Sequence, residues 1–183
     1  MLGIAIAIRI KMGSPVIFTQ ERAGRNEKPF KIYKFRTMTN EKDANGILLP
    51  NEDRITNLGQ FLRNTSLDEL PQLLNVLKGE IGVIGPRAIP TAYLPYLTEE
   101  QHNRHVIRPG LAGLATVNGR NDQSWESKFM YDAEYLKNIT FLNDVKILLK
   151  VVKVIISQDG IAAEGKVAGE NLIDSLKKDE KED

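Results

Sequence analysis

The chain has 183 residues with 25 Lys and Arg against 24 Asp and Glu, 42% apolar residues and no cysteine. That profile fits one folded domain able to bury its own core, and it excludes a disulfide scaffold, a Cys-ligated zinc module and a Cys nucleophile. A formal charge of +1 excludes a general nucleic-acid binder, although residues 1–63 hold 11 Lys and Arg against 6 Asp and Glu, a local basic excess suited to a phosphorylated small molecule or an anionic membrane surface.

Residues 1–8 are apolar and are followed by Arg9, Lys11 and the turn signal Gly13-Ser14-Pro15. The segment is too short to span a bilayer and carries no secretory cleavage pattern. It reads either as the start of a buried strand or helix or as the end of a membrane-embedded segment with Arg9 and Lys11 at the headgroups. Pro15–Gln20 and Pro29–Arg36 are rich in β-branched and aromatic residues around Gly24, Arg25 and Asn26, which predicts a hairpin. Residues 39–53, with Asn45-Gly46 and Pro50-Asn51, predict a surface loop.

A helical stretch is expected over 56–62 with Leu58, Phe61 and Leu62 on one face, and a second over 67–77 with Leu70, Leu73, Leu74 and Leu77. Gly79 ends the second, Ile81–Ile84 reads as a short buried strand or turn, and Gly85-Pro86-Arg87 as a bend. Helical pattern returns near 91–105 and over 124–138. Leu142–Ser157 forms the clearest amphipathic helix, with Lys146, Lys150 and Lys153 sharing a face that serves solubility or membrane-surface contact. The tail after 165 is charge-dense at its end and expected to be partly disordered.

The chain has no P-loop, dinucleotide fingerprint, nucleophile elbow or zincin motif. His102 and His105 lie at i, i+3 with no third ligand near them in sequence, and read as surface or core histidines. Asp68-Glu69 offers two readings. Ser66-x-x-Glu69 is a capping-box pattern; alternatively, one carboxylate acts as nucleophile or metal ligand while the other orients it. Lys34, Arg36, Arg63, Arg87 and Arg108 fall at strand ends and Gly/Pro bends, positions that suit phosphate binding, and carboxylates beside such a cluster would hold Mg²⁺.

Gly13–Arg22, Phe30–Met38, Asp53–Thr56, Thr65–Gly79, Gly85–Arg87, Arg108–Gly110 and Val117–Asn121 follow in order a pattern that resembles the bacterial sugar transferases, the monotopic phosphoglycosyl transferases that start undecaprenyl-linked glycan assembly. The resemblance covers about residues 13–160 and looks nearest to the small transferases of glycoprotein and capsule pathways. It implies an α+β fold, a mostly helical single domain with a short N-terminal β-hairpin, associated with the cytoplasmic face of the bacterial inner membrane as a peripheral or monotopic protein. It also implies transfer of sugar-1-phosphate from a UDP-sugar to polyprenol (undecaprenyl) phosphate with release of UMP. The glycan begun this way belongs to a capsule, O-antigen, exopolysaccharide or glycoprotein.

In that scheme Asp68 forms a covalent phosphosugar and ligates Mg²⁺, Glu69 completes the dyad, and Arg36, Arg87 and Arg108 match the phosphate-binding cations. The partners expected are UDP-sugar, polyprenol phosphate, membrane lipid and a second copy in a homodimer, with no nucleic acid. The chain departs from the family pattern at Ala88, where Pro is usual, and at Leu114 and Thr116, where Trp and Gln are frequent. Residues 1–12 are expected to be the remnant of a longer re-entrant membrane helix, 13–165 the catalytic domain and 166–183 a tail. A truncated, inactive membrane-surface or partner-binding domain that keeps the anion cradle is the alternative.

Overall fold

A computed structural model describes residues 1–119, 123–157 and 172–173. The expected tail, 166–183, and the end of the Val117–Asn121 motif therefore lie largely outside the described residues. Helix α1 (Leu2–Met12) leads into an antiparallel hairpin of β1 (Ile17–Ala23) and β2 (Pro29–Phe35), with Ile17 opposite Phe35 and Ala23 opposite Pro29. The short turn α2 (Asn51–Arg54) and α3 (Asn57–Asn64) follow, the latter started by Thr56, whose hydroxyl accepts the Gly59 amide proton. A 3₁₀ helix over Leu67–Gln72 runs into α4 (Leu73–Leu77).

Next come β3 (Gly82–Ile84), a 3₁₀ turn at Thr91–Tyr96, α5 (Glu99–His102), a second 3₁₀ segment at Asn103–Val106 and β4 (Gly110–Ala112), which pairs in parallel with β3. Helices α6 (Leu114–Val117), α7 (Trp125–Lys137) and α8 (Phe141–Ser157) complete the described elements. This is the expected α+β arrangement, mainly helical with a hairpin near the N-terminus. Among the described residues no helix is long and apolar enough to cross a membrane.

Two apolar clusters hold the halves together. In the first, α1 buries Ile8 completely against Phe35 and Leu62, with Ile4, Ala5 and Met12 on the same helical face and Leu58, Leu67 and Leu70 around them. The spacing 4, 8, 12 is a helical stripe, so the apolar start of the chain is half core. Its other face, Leu2, Ile6 and Ile10, is exposed. In the second cluster Tyr135, Ile147 and Val151 bring α7 and α8 onto Ile84 and Ala112 of the parallel sheet and Ile107 ahead of β4.

The helix expected over 67–77 differs from its sequence reading. Pro71 lies inside its first half, which is 3₁₀ rather than α, and only Leu67 and Leu70 pack against the core. Leu73, Leu74 and Leu77 are exposed. An apolar stripe establishes that a face avoids water when it can, not that the same chain supplies its cover.

Candidate active site

Asp68 and Glu69 sit in the 3₁₀ segment that crosses β2. Ser66 enters it in the left-handed region, φ 57°, and the Ser66 side chain makes no capping hydrogen bond to the helix. The capping-box reading is therefore not realised. Glu69 reaches across to the cations instead: its Oε1 accepts from Lys34 Nζ at 2.6 Å and from an Arg87 guanidinium nitrogen at 2.5 Å. Lys34 comes from β2 and Arg87 from the bend after β3, so one carboxylate oxygen gathers three segments.

Asn75 fixes the distance between these segments. It is fully buried on α4, and its amide donates to the Lys31 carbonyl at 2.8 Å and to Glu80 at 2.6 Å, while its Oδ1 accepts the Tyr33 amide proton at 3.1 Å. It thereby satisfies the outer edge of β2, whose other edge pairs with β1, and holds Lys34 beside the acidic pair. The sequence signal was a lone polar residue within Leu73-Leu-Asn-Val-Leu77.

Arg87 is placed by backbone packing. Gly110 carries no Cβ because one would lie 2.2 Å from the Gly85 nitrogen, and its own amide donates to the Pro86 carbonyl at 2.8 Å. Arg104, also buried, donates to the Arg87 carbonyl at 2.7 Å and pairs with Asp132 of α7 at 2.7 Å. Neither Asn75 nor Arg104 was among the expected site residues. Behind Lys34 and Arg87 lies a small cavity of about 10 Å³, lined also by Arg22 and Gln72. Arg22 Nε and Gln72 Nε2 are buried and have no hydrogen-bond partner among the described residues.

Electrostatics divide the two carboxylates. Burial pushes the Glu69 carboxyl up, but Arg87 and Lys34 outweigh it and hold it well below the usual carboxylate range. Asp68, only 8% exposed, moves the other way: burial raises its pKa against the opposing pull of Lys34, Arg87 and Arg63. Asp68 forms no ion pair within 4 Å among the described residues. Glu69 is thus a fixed anion that organises cations, and Asp68 is a carboxylate whose oxygens stay available in their field. An available carboxylate of this kind is the hard oxygen donor that Mg²⁺ takes alongside phosphate oxygens and water.

The remaining expected cations are dispersed. Arg63 lies close enough to feel the Asp68 charge, while its Nε donates to Thr37 Oγ1 at 2.9 Å. Arg36 is buried and turned away from the dyad. Its guanidinium donates to the carbonyls of Met12 and Ser14, where it closes the C-terminal end of α1. Arg108 lines an open cleft of about 250 Å³ with Arg25, Lys28, Phe30 and Glu80, at the end of the hairpin opposite Lys34.

Outside the dyad, His102 Nδ1 contacts Glu27 Oε1 directly, and His105 Nδ1 lies 3.6 Å from the same oxygen. The partner that sequence proximity did not supply comes from 75 residues upstream.

The sequence matches known proteins along most of its length. A family model for bacterial sugar transferases matches residues 1–158. The uncharacterized sugar transferase EpsL of Bacillus subtilis is 49% identical over 168 residues, covering 92% of this chain and 83% of the relative. The exopolysaccharide production protein PSS of Rhizobium leguminosarum bv. phaseoli is 37% identical over 166 residues, with 83% of each chain covered. The undecaprenyl-phosphate galactose phosphotransferase of Salmonella typhimurium is 40% identical over 165 residues that make up 81% of this chain but 35% of that protein. The chain thus spans most of the first two relatives and about a third of the last. With the match running from α1 through α8 and taking in the Asp68-Glu69 segment and its two cationic partners, Lys34 and Arg87, the chain belongs to the bacterial sugar transferase family.

Proposed function

We propose that this chain transfers a sugar-1-phosphate from a UDP-sugar to undecaprenyl phosphate, releasing UMP, with Asp68 as the nucleophile. The observation that carries the reading is the division of labour in the dyad, where Glu69 is tied to Lys34 and Arg87 at 2.6 and 2.5 Å while Asp68 has no ion-pair partner among the described residues. The names of relatives that act on undecaprenyl phosphate support the same reaction class.

A carboxylate is a weak nucleophile toward an anionic diphosphate unless nearby positive charge lowers the repulsion. In the first step an Asp68 oxygen forms a bond to the sugar-bearing phosphorus as the bond from that phosphorus to the UMP oxygen breaks, and UMP leaves with the electron pair. In the second, an oxygen of undecaprenyl phosphate bonds to the same phosphorus and the Asp68 carboxylate departs. Arg87, half exposed at the rim, meets the phosphate oxygens; Lys34, deeper, maintains the positive field under both steps. Mg²⁺ held by Asp68 would neutralise the diphosphate during transfer.

Membrane association is part of the proposal. The exposed leucines of α4, the outer face of α1 and the apolar residues of α8 beside Lys146, Lys150 and Lys153 are apolar and basic surfaces of the kind that contact lipid. A panel of UDP-sugars offered with undecaprenyl phosphate and Mg²⁺ tests the function: at least one sugar must give UMP and a lipid-linked product in equal amounts. UMP formation that is matched by free sugar phosphate, with no lipid product, would make the chain a hydrolase.

A further inference from the structure

We propose that Glu27, His102 and His105 form a binding site for a borderline transition-metal ion, Zn²⁺ foremost, that clips the tip of the hairpin to the segment after α5. The ligand atoms of the three side chains lie within 4.8 Å of one another, the one group of at least three such residues among the described residues. Ligands of a tetrahedral zinc ion stand about 3.3 Å apart when each is 2.0–2.1 Å from the metal. The 3.6 Å between His105 Nδ1 and Glu27 Oε1 is close to that spacing, and the contact between His102 Nδ1 and the same oxygen opens to it by a small side-chain rotation.

The backbone prepares the set. Asn26 and Glu27 both adopt the left-handed region, φ 52° and 60°, in the connection between β1 and β2, which turns Glu27 toward α5. His102 and His105 project from the last turn of α5 and the 3₁₀ turn that follows, two residues before and one residue after Arg104 of the buried Arg104–Asp132 pair. Asp132 offsets part of the guanidinium charge that repels a cation here. His105 is buried in this set, and with the ring proton on Nε2 its Nδ1, which lies 3.3 Å from the His102 carbonyl, is the ligand atom. Glu27 and His102 are each 37% exposed, which leaves an open side for a fourth ligand from water.

The donor set separates this ion from Mg²⁺ at the dyad. Two imidazoles and one carboxylate suit zinc, cobalt and copper, whereas Mg²⁺ takes oxygen ligands. Glu27 is at the hairpin tip and Lys34 seven residues along β2, so the clip sets the position of the strand that carries Lys34 without touching the reacting groups.

Isothermal titration of the metal-stripped full chain with Zn²⁺ tests the site, together with the visible spectrum of the Co²⁺ form. The expected result is one stoichiometric site insensitive to excess Mg²⁺, a tetrahedral Co²⁺ band and a Zn²⁺-dependent rise in Tm. Glu27→Gln and His102→Asn should each weaken Zn²⁺ binding about tenfold or more and abolish the Tm rise. Both replace half-exposed side chains, and the urea midpoint of each variant without metal verifies that it folds. Absence of stoichiometric Zn²⁺ binding by the parent, or binding that neither substitution changes, overturns the proposal.

Discussion

Replacing Glu69 by Gln keeps the shape of the side chain and removes the charge on which Lys34 and Arg87 converge. At 2.6 Å the Lys34–Glu69 attraction is about 6 kcal/mol before desolvation, taking an effective dielectric constant of 20. Desolvation of the two ions returns more than half of this, so a net loss of about 2–3 kcal/mol is expected for that pair, at the lower edge of the cost of breaking a fully buried pair, as its partial exposure requires. The Arg87–Glu69 contact is shorter, 2.5 Å, but the Arg87 side chain is 54% exposed against 19% for Lys34. Solvent screening reduces its share to about 1 kcal/mol or less.

The order of the two couplings is therefore the opposite of the order of the two distances. Urea unfolding of Glu69→Gln, Lys34→Met, Arg87→Ala and the two double variants gives both coupling energies directly. The Lys34 coupling should exceed the Arg87 coupling. Because the Glu69 pKa is depressed in the fold, its contribution is present above its unfolded value near 4.5 and is lost as the pH falls below it. The difference between parent and Glu69→Gln should accordingly be flat at neutral pH and shrink in acid. Equal or inverted couplings, or a Glu69→Gln variant within about 0.5 kcal/mol of the parent, would refute burial as the deciding factor.

Three further outcomes follow from the same geometry. Arg87→Ala should lower kcat/KM between about tenfold and a thousandfold in the UMP-release assay, and EDTA should silence the parent, since each removes positive charge from the phosphoryl group. Gly59→Ala should cost about 3 kcal/mol or more in urea unfolding, because its Cβ would lie 1.8 Å from the Thr37 carbonyl oxygen, a backbone atom that cannot swing away. The imidazole of His105 should titrate by NMR in the metal-free chain with a midpoint of about 4; its neutral form contributes stability above 6.5 that is lost as the pH falls through 4, and a midpoint near 6.5 would contradict its burial.

Elements governed by local pattern were legible in the sequence. The β-branched and aromatic runs gave the hairpin, the 3.6-residue period gave α7 and α8, and Thr56 with Leu58 and Leu62 gave α3. The Asp68-Glu69 pair and the cations Lys34 and Arg87 were legible as chemistry, because acidic neighbours and arginines at glycine bends are uncommon combinations.

What could not be read was the choice of partner. Of the two readings of Asp68-Glu69, the capping box has Glu69 reach back three residues to the Ser66 amide, and it spans 35 residues to Lys34 instead. Arg36 looked equivalent to Arg87 at a strand end, yet it serves the carbonyls that end α1. Glu27 and His102, 75 residues apart, meet only because the hairpin tip folds against α5. Periodicity likewise marked Leu73, Leu74 and Leu77 as apolar without showing that they face outward. Local pattern reports what a segment needs; long-range packing decides which other segment supplies it.

The central claim is that Asp68 carries the phosphosugar. Rapid mixing of the enzyme with its UDP-sugar and Mg²⁺, without undecaprenyl phosphate, measures it most directly. The expected result is a burst of one UMP per active site, with the phosphosugar recovered on the Asp68 peptide by mass spectrometry, and neither burst nor adduct from Asp68→Asn, whose amide keeps size and packing. A full burst from Asp68→Asn, or a parent that releases UMP only when undecaprenyl phosphate is present, would contradict it.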